Sequence, residues 1–164
     1  MEYGGFWIRV VAYIIDCIVV GIVFSVALFV LISIGVIDFS PIMELAEDPV
    51  FQAGGEPDPA QAFAAGQSVF QILGITSLVY LVIYWLYEAV LVSSPMQATP
   101  GKMAVGLRIT DLQGQPIGFG RATGRFVGKL VSRIIAYIGF IMAAFSERKQ
   151  SLHDMMAGTL VVRG

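Results

Sequence analysis

Charged residues make up only 13% of this 164-residue chain, and it has one cysteine and one histidine. A water-soluble domain of this length needs a larger polar fraction to cover its surface, so the low charge excludes an ordinary soluble fold. The lone Cys17 excludes an internal disulfide and a cysteine metal cluster, and reads as a small apolar filler. No Ser–His–Asp arrangement and no metal-ligand spacing is present, so we expect no enzyme, no catalytic residue, no metal and no cofactor. Pro100-Gly101-Lys102 lacks the earlier glycine and the following Ser or Thr of a P-loop, which removes nucleotide binding. Lys and Arg are missing from residues 38–71, which hold six acids: Asp38, Glu44, Glu47, Asp48, Glu56 and Asp58. No small-residue cleavage site accompanies the first apolar run, so a cleaved signal peptide is not expected.

Hydrophobic residues account for 57% of the chain and the mean hydropathy is +0.79, the composition of an integral membrane protein. Residues 5–37 read as the first transmembrane helix. Cys17 to Ile37 is uncharged over 21 residues, enough for a hydrocarbon core that needs about 20. Arg9 and Asp16 precede this stretch, seven residues apart and roughly 10 Å along one helix face. Charges at membrane depth cost a few kcal/mol unless paired or wet. Residues 38–71 form an acidic external loop, in which Ser40–Pro41 can open a short helix through about Glu47. Asp58-Pro59-Ala60-Gln61 is a helix start, with Asp58 as cap and Pro59 at the first helical position. The second helix therefore covers 59–94, its membrane part 72–92, and it ends at Ser93-Ser94-Pro95. Tyr80, Tyr84, Trp85 and Tyr87 read as interface and packing residues. Glu88, about one turn from the end, reads as a carboxylate snorkelling to the interface or as an ion site.

Nine of the ten basic residues lie from Lys102 onward, which puts segment 95–118 and both termini in the cytoplasm and the acidic loop outside. Within 95–118, Gly106–Thr110 and Pro116–Ile117 read as a small β-hairpin. Thr159–Arg163 is a further strand candidate that could pair with Leu107–Thr110. In residues 119–146, Arg121, Arg125, Lys129 and Arg133 recur every four residues, opposite Phe126, Val127, Leu130, Val131 and Ile134. This is a basic amphipathic pattern suited to the anionic lipids of the inner leaflet, and its apolar face argues against nucleic acid. The uncharged run from Ile134 to Ser146 spans 13 residues, short for a crossing. The expected fold is an all-α membrane protein with two full transmembrane helices, a third amphipathic or re-entrant region with a full span as the alternative, and a small cytoplasmic β-element. In the tail, 147–164, Ser151 and Asp154 have capping-box spacing and Gly158 fits the helix stop. His153, beside that cap, reads as a surface or capping residue.

Four blocks in order then resemble the RDD family of small bacterial membrane proteins. They are Gly5-Phe6-Trp7-x-Arg9 with Ala12 and Ile15-Asp16; Thr99-Pro100-Gly101-Lys102 with Gly106-Leu107-Arg108-Ile109; Phe119-Gly120-Arg121-Ala122 with Arg125; and Ser146-x-Arg148-Lys149-Gln150-x-Leu152-His153-Asp154-x-x-Ala157-Gly158-Thr159. The resemblance covers nearly everything except the acidic loop. Ser151 stands where the family usually has glycine. The arginine and two aspartates of the family name match Arg9, Asp16 and Asp154, with Asp111 a rival for the last. The resemblance implies a transport role, with sodium–proton exchange in at least one branch.

Arg9 and Asp16 are too far apart to pair along one helix, so each must find a partner elsewhere. For Asp16 these are Lys102, Arg121, Arg125 or Lys129. For Arg9 they are Asp154, Asp111 or Glu88. One reading makes Asp16 a titratable cation or proton site tuned by these basic groups, in a transporter working as a homo-oligomer. The other makes the same charges a structural clamp in a membrane scaffold or assembly partner.

Overall fold

A computed structural model describes residues 2–134 and 138–164. The chain runs through α1 (Phe6–Ser33), α2 (Ser40–Glu47), α3 (Pro49–Gln52) and α4 (Pro59–Ser93). It continues through α5 (Pro100–Ala104), β1 (Leu107–Asp111), α6 (Phe119–Ile134), α7 (Ile138–Phe145), α8 (Leu152–Met156) and β2 (Thr159–Arg163).

Helices α1 and α4 have 28 and 35 residues, about 42 and 52 Å at 1.5 Å per residue. Both exceed the ~30 Å hydrocarbon core. Only 11% of the most apolar stretch of α1 and 6% of that of α4 is buried by the protein itself. Surface this apolar needs lipid around it, which makes these two helices candidate spans. The ends of both follow from local chemistry. Helix α1 stops four residues before Ile37 because Gly35 adopts φ +75°, Val36 N–H reaches Leu31 O at 2.9 Å and Gly35 N–H reaches Ile32 O at 3.0 Å, a Schellman stop. Helix α4 starts as expected, with Ala60 N–H donating to Asp58 Oδ1 at 2.8 Å. Asp48 does the same for α3 through Val50 N–H.

The chain divides into two compact units. Residues 22–82 form one, in which Phe24 and Tyr80 meet edge to face at 5.3 Å. Residues 1–21 with 83–164 form the other, which holds every candidate site residue. Its apolar core joins Ala89 and Val92 of α4, Leu107 and Ile109 of β1, Ile117, Ala122 of α6 and Val161 of β2.

The hairpin reading is corrected. Strand β1 pairs antiparallel with β2, Ile109 opposite Val161, and not with Pro116–Ile117. Asp111 does turn the chain, its Oδ1 accepting from Gln113 and Gln115 N–H, but Ile117 then enters the core instead of a ladder. The long-range partner wins because both strands bring apolar side chains that the core buries, Leu107 and Ile109 from β1 and Val161 from β2.

The basic-stripe reading is also corrected. Arg125, Lys129 and Ser132 are buried, at 2%, 7% and 0% exposure, while Val127 and Val131 are exposed. Helix α6 thus turns its polar side inward and an apolar side outward. That is inverted for a helix in water and suits an apolar surrounding. Neither α6, with 16 residues, nor α7, with eight, has the length of the two long helices. Residues 135–137, within the uncharged run read as a return segment, lie outside the described residues. Helix α8 opens at Ser151 and stops before Gly158, φ +60°, as expected. Gly128 lets α6 and α8 touch, since a Cβ there would sit 3.0 Å from that of His153.

Candidate functional site

Three buried carboxylates from three helices organise the site. Asp154, on α8, is fully buried. Its Oδ1 accepts from Arg125 Nε at 2.9 Å and Nη2 at 2.7 Å. Its Oδ2 accepts from Arg9 Nη1 at 2.5 Å, and from Ser151 Oγ and N–H at 2.7 and 3.1 Å. The capping spacing is thus used twice: Asp154 caps its own helix and holds two arginines. Arg9 also donates to Gly4 O at 2.9 Å and Lys149 O at 2.6 Å. Lys149 has a φ of +50°, a conformation non-glycine residues rarely take, and its carbonyl meets that guanidinium. Arg9 therefore ties α1 to the tail, in a fork geometry that lysine could not supply.

Glu88, on α4, is the second carboxylate. Its Oε1 accepts from Arg125 Nη1 at 3.3 Å and from Lys129 Nζ in direct contact. Its Oε2 is buried without a partner among the described residues. Snorkelling to an interface is excluded by its 2% exposure. Arg125 links the first two carboxylates, one on each side of its guanidinium.

Asp16, on α1, is the third. Its Oδ1 accepts from Tyr87 OH at 2.7 Å and Gly101 N–H at 2.8 Å, and its Oδ2 from Thr99 OH at 2.6 Å. Lys102 Nζ lies 3.8 Å away and donates to Thr99 Oγ1 at 3.1 Å. Of the four basic candidates for Asp16, the ion pair goes to Lys102, while Arg125 and Lys129 go to Glu88. Arg121 stands apart on the surface, 3.6 Å from Asp111, so neither of these two joins the cluster. Arg9 takes Asp154 and not Asp111 or Glu88.

Several members escaped sequence reasoning. Tyr87 read as packing, yet it donates to Asp16; Tyr84 and Trp85 do pack, against Phe126 and Phe119. Thr99 and Gly101 stood in a recognised block without a role. His153 read as a surface or capping residue; it is buried, and its Nε2 lies 3.0 Å from Oγ of the cap residue Ser151. The signal for Tyr87 was its place beside Glu88 near the end of an apolar helix, where a hydroxyl needs a partner.

A cavity of about 260 Å³ opens among these groups. Arg9, Asp16, Glu88, Lys102, Arg125, Lys129 and Arg133 line its polar part, and Phe6, Val10, Tyr84 and Ile141 are among its apolar walls. Burial pushes the Lys129 ammonium down to about 7, helped by Lys102 and Arg125 and opposed by Glu88. Burial also lowers Lys102. His153 is pushed well below its ordinary value by burial and kept neutral, with Arg125 and Lys129 adding to the effect and Asp154 opposing it. Asp154 is held well below the usual carboxylate range by Arg125 and Arg9, against the cost of burial.

These shifts predict a pH profile. Each group binds protons more tightly in the unfolded chain, so stability rises with pH across the interval between its two values. For Lys129 that interval runs from about 7 up to the ordinary ~10.4, and for His153 it lies below ~6.5. For Asp154 it lies below ~3.9. The melting midpoint in detergent should climb from about pH 5 to pH 9, and His153→Asn should flatten the lower part. A midpoint that falls over this range would contradict the assignment.

A helical membrane protein with two candidate spans and an inward-facing cluster of arginines, lysines and carboxylates is the class defined here. The sequence model of the RDD family matches residues 3–158, and the chain belongs to that family. It is 36% identical to the uncharacterized protein YxaI of Bacillus subtilis, over 97% of this chain and 96% of that one. It is 26% identical to the uncharacterized membrane protein YteJ of the same organism, over 98% and 80% of the two chains. A proline-rich antigen of Mycobacterium leprae is 28% identical over 94% of this chain and 59% of its own length. No solved structure matches.

Proposed function

We propose that this protein is a small transporter of the bacterial inner membrane that exchanges protons for a small cation through the charged cavity. One observation carries the reading: on the cavity wall, Glu88 has a buried acceptor, Oε2, without a partner among the described residues. A buried oxygen of this kind calls for a proton, an ion or a donor from a ligand. Cationic side chains outnumber the carboxylates around it, so a cation can enter only as a proton leaves. Lys129, held near 7 and touching Glu88, is the group placed to lose it. Asp16 is the second cation-facing carboxylate, its negative charge offset by Lys102. Both termini lie in the cytoplasm under the positive-inside rule, and the acidic loop gathers cations outside. Two spans enclose a path poorly, so the working form is a homo-oligomer.

The scaffold reading is favoured by a different observation. Both oxygens of Asp16 and both of Asp154 are engaged by protein donors, as a structural clamp requires. The two readings separate in liposomes loaded with a pH-sensitive dye and given Na⁺, K⁺ or Li⁺ gradients. Exchange predicts cation-dependent proton movement that folded Glu88→Gln and Asp16→Asn both lose. Absence of movement in folded wild type across several pH values would reject exchange and leave the scaffold.

A further inference from the structure

We propose that the cavity binds a glycerophosphate-type headgroup, a phosphodiester monoanion that also carries a hydroxyl. Three independent features ask for the parts of such a ligand. The first is charge. Arg9, Lys102, Arg125, Lys129 and Arg133 face the cavity against Asp16 and Glu88, and Asp154 behind them still leaves cations in excess. Asp154 is fully used by Arg9, Arg125 and Ser151, so it neutralises nothing further. Lys102 donates to one hydroxyl and stands 3.8 Å from Asp16, which leaves donor capacity on an ammonium that has three N–H groups. Arg133 lies over the Tyr84 ring at 5.1 Å and has no carboxylate partner among the described residues. Both residues line the cavity, where an oxyanion would offer each a partner.

The second feature is Glu88 Oε2, an acceptor with no donor among the described residues. A bare phosphate diester has no proton to give it, whereas a hydroxyl two or three atoms further along the headgroup does. The third is the wall. Phe6, Val10, Tyr84 and Ile141 offer apolar surface beside the charges, which suits a group attached to a hydrocarbon chain. The volume, about 260 Å³, holds about eight or nine waters at ~30 Å³ each, room for a headgroup and not for whole acyl chains. The inference uses the same cavity as the exchange reading but does not rest on it, because a protein that moves nothing can still bind.

The test is lipid selection by the intact protein in mild detergent, read by native mass spectrometry. Short-chain phosphatidylglycerol is compared with phosphatidylcholine, with phosphatidylmethanol, which has the charge but no hydroxyl, and with soluble glycerol 3-phosphate. One phosphatidylglycerol should bind per chain, about tenfold more tightly than phosphatidylcholine and several-fold more tightly than phosphatidylmethanol. Lys102→Gln with Arg133→Gln should abolish the first preference, and Glu88→Gln should reduce the second. Tight binding of glycerol 3-phosphate alone would support the site and assign it to a soluble phosphate ester. Equal binding of phosphatidylglycerol and phosphatidylcholine by wild type would overturn the proposal, whatever the variants do.

Discussion

Asp154→Ala should remove most of the folded protein. The carboxylate is fully buried and holds Arg9, Arg125 and its own helix cap. Its loss leaves the Arg125 guanidinium, 2% exposed, with only Glu88 at 3.3 Å. Breaking a buried ion pair from one side costs about 3–5 kcal/mol, because the abandoned charge stays desolvated. The lost cap adds about 1 kcal/mol, less than additively since the same oxygens serve both. Against a total stability of about 5–15 kcal/mol this is severe. The measurement is the monodisperse fraction on size exclusion in detergent, with the melting midpoint. Asp154→Asn keeps acceptor capacity and should fall between wild type and alanine. Arg9→Gln should cost less in the Asp154→Ala background than alone, since its main partner is already gone. Unchanged melting of Asp154→Ala would end the clamp account.

Gly101→Ala should be the most damaging of the glycine changes in this unit. A Cβ there would run into the carbonyl oxygen of Ala12 and lie 2.8 Å from the Asp16 carboxyl carbon and Oδ1. The first obstacle is helix backbone and cannot rotate away. The second is a carboxylate already held by Tyr87 and Thr99. Overpacking of this kind costs about 1–3 kcal/mol, and here it also pushes Gly101 N–H off Asp16. Gly66→Ala is the control, because a Cβ at Gly66 meets nothing within 4 Å and lies inside α4. There alanine should be neutral or gain about 0.5–1 kcal/mol from reduced chain entropy. Equal melting of the two variants would show that α5 does not press on α1 as described.

Much of the framework was legible because its signals are local. The uncharged stretch of α1, the Asp58–Pro59 start of α4, the Ser151–Asp154 cap and the Gly158 stop each depend on a few neighbouring residues. The family blocks also pointed to Arg9, Asp16 and Asp154. Partner choice was less legible. Seven residues between Arg9 and Asp16 said that each must look elsewhere, and the partner of Arg9 was among three candidates. Tyr87, Thr99 and Gly101 as the donors to Asp16 were out of reach, because Thr99 and Gly101 come from the start of α5 and Tyr87 from α4. Helix α6 misled for a clear reason. A stripe of four basic residues has the same period whether it faces lipid headgroups or a buried carboxylate, and nothing within the helix distinguishes the two.

What the sequence determined alone is the class and its scale: low charge and two long apolar runs require a membrane protein, and four ordered blocks place it in its family. Tertiary structure decided which charges meet. Arg125 between Asp154 and Glu88, Lys129 against Glu88, and β1 against β2 are contacts between residues 29 to 56 positions apart. Periodicity reports which residues share a face but not what that face meets. Ion pairs are settled by distance and desolvation, and both exist only once the helices have packed.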